Sequence, residues 1–423
     1  MNNHLSTDRP EKIITVPSLS WAFFDFADTI FSMNVVSLYF ALWVVEDLGG
    51  TDLMVALARS AAMLLIAVSM PFMGALSDKI GRRKIFIFLF TSLCCLFTAS
   101  LKLNSGLISY LIFFGAAVFC YQASLVFYNA LLPQISPPGR EGKVSGLGVA
   151  LGYVGSIVGM LMIRPFVGTG SDFSRQASFL PTAILFFFFS LPMFLFVREK
   201  IRPINTKLPP FWELFKSPYR IFKTSSEFPI VKRFLIARFF IVEAMETIIA
   251  FMSIYLVMVG GFNQKRITAT TGMDEVMLFL ISATVFAVIG SFVWGVVADR
   301  IGPGRSLKLC TLLWVITLLL AIVSAVRPMF WVIGPLAGIG LGGIWTTDRP
   351  YLLQLAPKER SAEFFGLCAL SGRLAAVIGP LLWGLIVLLA GPLGVVKYRL
   401  AVASVFVMML IGWLLIRRLP EEN

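Results

Sequence analysis

Apolar residues run through this chain in long stretches, each bounded by a short polar or basic cluster. About 20 consecutive apolar residues wound as a helix cross a roughly 30 Å hydrocarbon layer, because a helix bonds its own backbone groups where no water can. The pattern predicts twelve such helices, near residues 20–45, 53–76, 85–103, 106–133, 144–165, 178–197, 234–259, 276–298, 307–326, 328–353, 361–389 and 398–416. They group into an N-terminal six-helix bundle with a short polar tail (residues 1–198), a linker (199–229) and a C-terminal six-helix bundle (230–423).

Composition agrees with an all-α integral membrane protein. Hydrophobic residues make up 58% of the chain and charged ones 14%, against about 25% in soluble proteins. The formal net charge of +13 suggests a nucleic-acid partner until its distribution is considered. Lys79, Arg82, Arg83 and Lys84, and the run from Arg198 to Arg233, all fall on the side that also holds both termini. By the positive-inside rule that side is the cytoplasm, so the charge sets topology and no nucleic-acid partner is expected, with a basic patch for RNA or anionic lipid as the lesser alternative. Residues 1–19 lack the apolar core of a cleavable signal, and the short loops suit a bacterial inner membrane. Cys94, Cys95, Cys120, Cys310 and Cys368 lie inside predicted helices, and the single histidine, His4, lies in the polar tail. No disulfide, metal, cofactor or enzymatic chemistry is therefore expected.

The two halves repeat one another. Gly74, Asp78, Ile80 and Gly81 recur about 220 residues later as Gly295, Asp299, Ile301 and Gly302. Pro137, Arg140, Gly146, Leu147, Gly152 and Gly159 recur as Pro357, Arg360, Gly366, Leu367, Gly372 and Gly379. Each half opens with acids at helical spacing, Asp25 and Asp28 in one and Glu243 and Glu246 in the other. A charged residue at a helix centre costs roughly 2.5 to 3.5 kcal/mol, so such residues pair, face water, or carry function. Arg373 falls near the middle of the eleventh span. It reads either as the anchor for a carboxylate or phosphate or as the counter-ion of Glu246 or Asp28. Arg59 and Arg238, close to helix ends, are expected to snorkel to headgroups, with a place in the site as the lesser alternative. Tyr128 and Asn129 align with Asp348 and Arg349, different polar groups at matched places, suited either to an asymmetric solute or to helix–helix hydrogen bonds. The glycines of the fifth and eleventh spans predict close packing, and the stretch from Pro210 to Phe222 predicts either an amphipathic surface helix or a plain tether.

The segment from Gly74 to Lys84, repeated from Gly295 to Arg305, resembles the signature loop of the major facilitator superfamily. Trp21 to Asp28, Phe127 to Pro133, Ser145 to Tyr153 and Gly366 through Arg373 to Pro380 resemble its vacuole-effluxer-like, autophagy-related branch. The resemblance implies two pseudo-symmetric six-helix bundles, with the first, fourth, seventh and tenth helices lining a central cavity. It also implies gating by the loops carrying Gly74, Asp78, Gly81 and Arg82 and Gly295, Asp299 and Arg300, with ending helices and setting topology as the lesser alternative. Fungal members of that branch export amino acids from the vacuole. This chain departs from their pattern with Asp28, Val149, Arg373 and the Glu243-Ala244 pair where Asn, Trp, Lys and Asp-Gly are usual.

The expected function is thus a monomeric secondary transporter of a small polar or anionic solute, working by alternating access among membrane lipids. Proton coupling through the acid pairs and uniport with structural acids both remain open. So do a flippase of lipids or amphiphiles on the same fold and a non-transporting receptor.

Overall fold

The structure, a computed structural model, describes residues 15–103, 106–136, 141–199, 228–265, 273–324, 326–356 and 361–420. Among them twelve helical segments are long and apolar enough to cross a membrane. They are α1 (Val16–Asp47), α2 (Asp52–Ile80), α3 (Arg83–Ser100), α4 (Leu107–Ile135), α5 (Glu141–Val167) and α6 (Phe179–Phe196) in the first half. The second half holds α7 (Pro229–Met258), α8 (Glu275–Ile301), α9 (Pro303–Val323), α10 (Arg327–Leu355), α11 (Ser361–Leu389) and α12 (Val396–Ile416). The stretch expected as a surface helix, 210–222, lies outside the described residues, as do Pro137, Arg140, Pro357 and Arg360.

Local chemistry sets the ends. The Thr15 hydroxyl accepts from the Ser18 N–H at 3.2 Å and the Ser18 hydroxyl accepts from the Thr15 N–H at 2.8 Å, a capping box that starts α1. Helix α7 begins at Pro229, ahead of the expected 234, because a proline in the first turn lacks only an N–H that would have no helical partner. Helix α2 stops at Gly81, whose φ of +67° only glycine adopts freely, and α8 stops at Gly302 with φ +87°. The repeated motif therefore ends a helix on a positive-φ glycine in both halves, with ψ of 17° at Gly81 and 149° at Gly302. Within α1 the turns from Ser32 to Tyr39 and from Trp43 to Asp47 widen to a π-helical pitch.

Glycine sets the depth of packing. A Cβ on Gly155 of α5 would stand 2.2 Å from the Phe26 carbonyl oxygen of α1. On α10, Gly338 and Gly342 would each bring one within 2.1 Å of a carbonyl oxygen of α8. Such close backbone approach replaces the hydrophobic drive that lipid removes.

Even numbers of crossings place both chain ends and the α6–α7 connection on one face, called here the terminal face; the other is the far face. The halves meet through α2 against α11, where the Ser60 hydroxyl donates to the Val377 carbonyl at 2.7 Å, and through α5 against α8, where Tyr153 hydrogen-bonds Ser291. They are sealed at the far face. There Arg175, just before α6, donates from Nε to Gln264 Oε1 of the other half at 2.7 Å, and Arg164 of α5 lies 3.2 Å from Asp274 before α8. Towards the terminal face, Arg349 Nη1 reaches Ser145 Oγ of the other half at 3.4 Å, and Asn129, Arg349, Asp299 and Arg300 are exposed. The basic turn after α2 is tied into its own half. Glu199 accepts the Arg83 and Lys84 N–H groups at 2.5 and 3.1 Å, capping α3, and Lys84 Nζ donates to the Val197 carbonyl at 2.7 Å.

Candidate functional site

Asp25 lies on the α1 face that meets α5, in space left by a glycine: a Cβ on Gly148 would stand 2.1 Å from its Oδ2. The Tyr128 hydroxyl hydrogen-bonds it, and Arg349 of the other half acts on it electrostatically. Tyr128 is itself clamped to α1, its ring stacked on Trp21 at 4.3 Å and its carbonyl accepting from Trp21 Nε1 at 3.1 Å. One turn on, Asp28 is 3% exposed, within electrostatic reach of Asp25, and without an ion pair among the described residues. Tyr121 of α4 joins the two halves of the site. Its hydroxyl hydrogen-bonds Ser32, and it feels the carboxylates of Asp28, Glu246 and Asp25. Sequence reasoning missed Tyr121, although its place two turns before Tyr128 on the same helix face was a usable signal.

The acids of α7 part company. Glu246 is ion-paired across the halves to Arg59 of α2, with Nη2 at 2.7 Å from its carboxylate and Nη1 at 3.0 Å from its carbonyl. Glu243, 1% exposed, turns instead towards α11 and accepts the Gly379 N–H, in a contact so close that a Cβ on Gly379 would stand 2.0 Å from Thr247 Oγ1. Glu243 therefore packs into the α7–α11 seam.

Two expectations are corrected. Arg59 and Arg238 do not snorkel: both point inward, because each has an acid on a neighbouring helix that position along its own helix could not reveal. Arg238 donates to Asp348 of α10 at 2.8 Å and to the Cys368 carbonyl at 2.9 Å. Asp348–Arg238 in one half thus takes the place of Tyr128–Trp21 in the other, each tying the fourth helix of its half to the first. Asn129 is exposed and donates to Leu125 of its own helix at 2.9 Å.

Arg373 differs from Arg59, Arg164, Arg175 and Arg238, each of which has an acid partner. Its Nη1 is buried without a hydrogen-bond partner, and among the described residues it has no ion pair. Glu246 is taken by Arg59 and Asp28 stands beside Asp25, so the counter-ion reading fails in this conformation. Arg373 precedes Val377 by one turn, which puts it on the α11 face that meets α2 across the halves. A guanidinium there offers planar two-point recognition to a carboxylate or phosphate.

Of the loop residues, Arg82 is exposed, as are Asp299 and Arg300, and a Cβ on Gly295 would stand 3.8 Å from Thr346 of α10. Helix α2 runs through Gly74 and Asp78, but what surrounds those two residues lies outside the described positions. Among the described residues no group of three or more His, Cys, Asp or Glu is placed to hold a metal ion, and the five cysteines are free and buried.

A family model described as vacuole effluxer Atg22 like matches residues 136–423. An uncharacterized MFS-type transporter of Bacillus subtilis, YxiO, is 26% identical over 97% of this chain and 96% of its own length. Autophagy-related protein 22-2 of Aspergillus clavatus is 25% identical over 58% of this chain, which covers 43% of that longer protein. Among solved structures, a bacterial homologue of the human lysosomal transporter Spinster superposes with a TM-score of 0.70 over 96% of both chains, at 13% identity.

Proposed function

Since this chain belongs to the vacuole effluxer Atg22-like family and is a multi-pass membrane transporter with the major facilitator fold, we propose that it moves a small anionic or zwitterionic solute by alternating access, with Arg373 as the anchor. Arg373 carries the reading. A buried guanidinium nitrogen without a partner is costly, and such a group persists where a ligand completes it. Its place on the α11 face that meets α2 suits a group that binds solute while the halves separate and close. The seal at the far face and the polar residues exposed towards the terminal face support one of the two end states of such a cycle.

Proton coupling, on this reading, belongs to Asp25 and Asp28. They are like charges one turn apart, Asp28 is buried, and among the described residues neither is ion-paired within its own half. Glu246 is neutralised by Arg59 and is assigned to holding the halves together. Export is the direction that the family name favours, amino acids are the substrate class that the resemblance to fungal effluxers suggests, and the bacterial inner membrane is the proposed site of action. The flippase reading gains little from the apolar cavity of about 360 Å³ between α3 and α6, lined by Cys95, Phe187 and Phe188 among others, since it lies within one half and not between the two.

The test is ligand-dependent melting of the purified protein with amino acids, organic acids and phosphorylated metabolites. A solute at 100 times its Kd stabilises the fold by about 2.7 kcal/mol. An anionic or zwitterionic solute should raise the melting temperature of the native protein and of R373K in part, and not that of R373A. An equal rise in R373A would remove Arg373 from the site.

A further inference from the structure

The far face carries a second pseudo-symmetric pair of acids that the repeat motifs do not include. Asp52 stands in the first turn of α2 and Asp274 caps α8, the matching helix of the other half, accepting the Met277 N–H at 3.0 Å. Each reaches across the boundary between the halves. Asp52, 3% exposed, accepts from Trp383 Nε1 of α11 at 3.2 Å and from the Tyr398 hydroxyl of α12. Trp383 is held flat against Phe251 of α7, with centroids 5.1 Å apart. Asp274, fully buried, faces Arg164 of α5 at 3.2 Å. Both carboxyls are buried, and the seam at Asp52 is tight: a Cβ on Gly384, next to Trp383, would stand 2.6 Å from Leu53 Cα.

The surrounding charges differ between the two sites. Around Asp274 stand Arg164, the Tyr39 hydroxyl of α1, and Arg175, itself tied to Glu46, Asp47 and Gln264. Glu275 beside it is paired to Arg327 of α10. The cluster is incompletely bonded: Asp274 Oδ2, Arg164 Nε and Nη2, Tyr39 OH and Gln264 Nε2 are buried without hydrogen-bond partners. Around Asp52 the donors in contact are neutral, with Lys397 of α12 acting from a distance and Glu46 acting on Tyr398.

We propose that Asp52 and Asp274 form a proton-sensitive latch: closing the far face moves both carboxyls from water into the seams between the halves, so protons supplied on that side favour closure. The physical cause is desolvation. A carboxylate whose contacts are an indole N–H and a phenol O–H gains less than water gave it, whereas the protonated acid keeps both partners and adds a donor. Asp274 meets a cation in poor hydrogen-bonding geometry, which offsets only part of the same loss. Burial pushes its carboxyl up to about 6 from the ordinary 3.8, against the pull of Arg164 and of the helix N–H groups. The sign follows. With a closed-state value above the open-state one, closure is favoured at low pH and the advantage is lost as pH rises through the closed-state value. When the far face opens, both acids meet water and release their protons there.

This latch rests on the alternating-access reading and deepens it by naming where the far-side proton acts. The experiment is a pair of spin labels at exposed far-face positions, one in each half, with the distance distribution recorded from pH 8 to pH 4.5 in vesicles. The native protein should show two populations, the short-distance one growing as pH falls by up to about tenfold per pH unit for each proton taken up. D274N, which can still cap α8, should lose part of that dependence, and D52N/D274N should lose more of it, keeping only the part that D25N/D28N removes. An unchanged pH dependence in D52N/D274N, abolished instead in D25N/D28N, would overturn the latch and leave alternating access standing. A single distance at every pH and in every variant would overturn both.

Discussion

Glu246→Gln removes the charge that binds α7 of one half to α2 of the other, and the structure sets the scale of the loss. Taking one partner from a fully buried ion pair costs about 3 to 5 kcal/mol, because the other charge is left in low dielectric. Here Arg59 is 5% exposed and Glu246 24%, so water screens one end. Arg59 also keeps its 3.0 Å bond to the Glu246 carbonyl, and glutamine still accepts a hydrogen bond. The expected cost is therefore about 1 to 2 kcal/mol, a factor of roughly 5 to 30 in the conformer that holds the pair. R59Q should cost about as much, and R59Q/E246Q should recover most of it, since two neutral amide side chains can bond each other. The assay is a double-mutant cycle read as the ratio of short to long distances between labels on the two halves. A coupling energy below about 0.5 kcal/mol, the scatter expected of independent sites, would refute the pair as a tie between the halves.

Three further outcomes follow from the same geometry. G155A should destabilise the protein by about 1 to 3 kcal/mol through overpacking, since its Cβ would meet the Phe26 carbonyl at 2.2 Å, whereas G146A, with nothing within 4 Å, should be neutral or slightly stabilising; melting in detergent separates them. The melting temperature of the native protein relative to D274N should fall as pH rises from 4 to 6 and level off above that, because Asp274 ionises near 6 in the closed structure; a constant difference would place the carboxyl in water. D28N should flatten the pH dependence of solute flux while E246Q leaves it in place, because Asp28 lacks a cation and Glu246 has Arg59; the reverse result would move the coupling to Glu246.

The helices were legible because bilayer thickness acts on composition alone, and the breaks at Gly81 and Gly302 were legible because positive φ demands a residue type. The glycines of α5 were legible for a similar reason: only a missing side chain lets α1 approach. What the sequence left hidden was direction around each helix. Arg59 and Arg238 read as headgroup seekers since distance from a helix end is visible along the chain, but their partners, Glu246 and Asp348, are set by which faces meet in space. Glu243 and Glu246 read as an equivalent pair, yet one turn of helix separates a packing seam from the boundary between the halves. Asp52 and Asp274 carry no mark along the chain, because an acid at a helix start has a local explanation; only their matched places in the two halves set them apart.

The central claim is that Arg373 anchors an anionic group of the transported solute, and flux tests it most directly. With the solute that most stabilises the purified protein, counterflow into proteoliposomes should be saturable for the native chain. R373A should weaken half-saturation by about 10- to 100-fold, the value of a lost charge-assisted hydrogen bond of about 1.5 to 3 kcal/mol. R373K should lie between the two. Equal uptake by R373A and the native protein would contradict the account, for the buried guanidinium would then be a feature of packing and the solute would be held elsewhere.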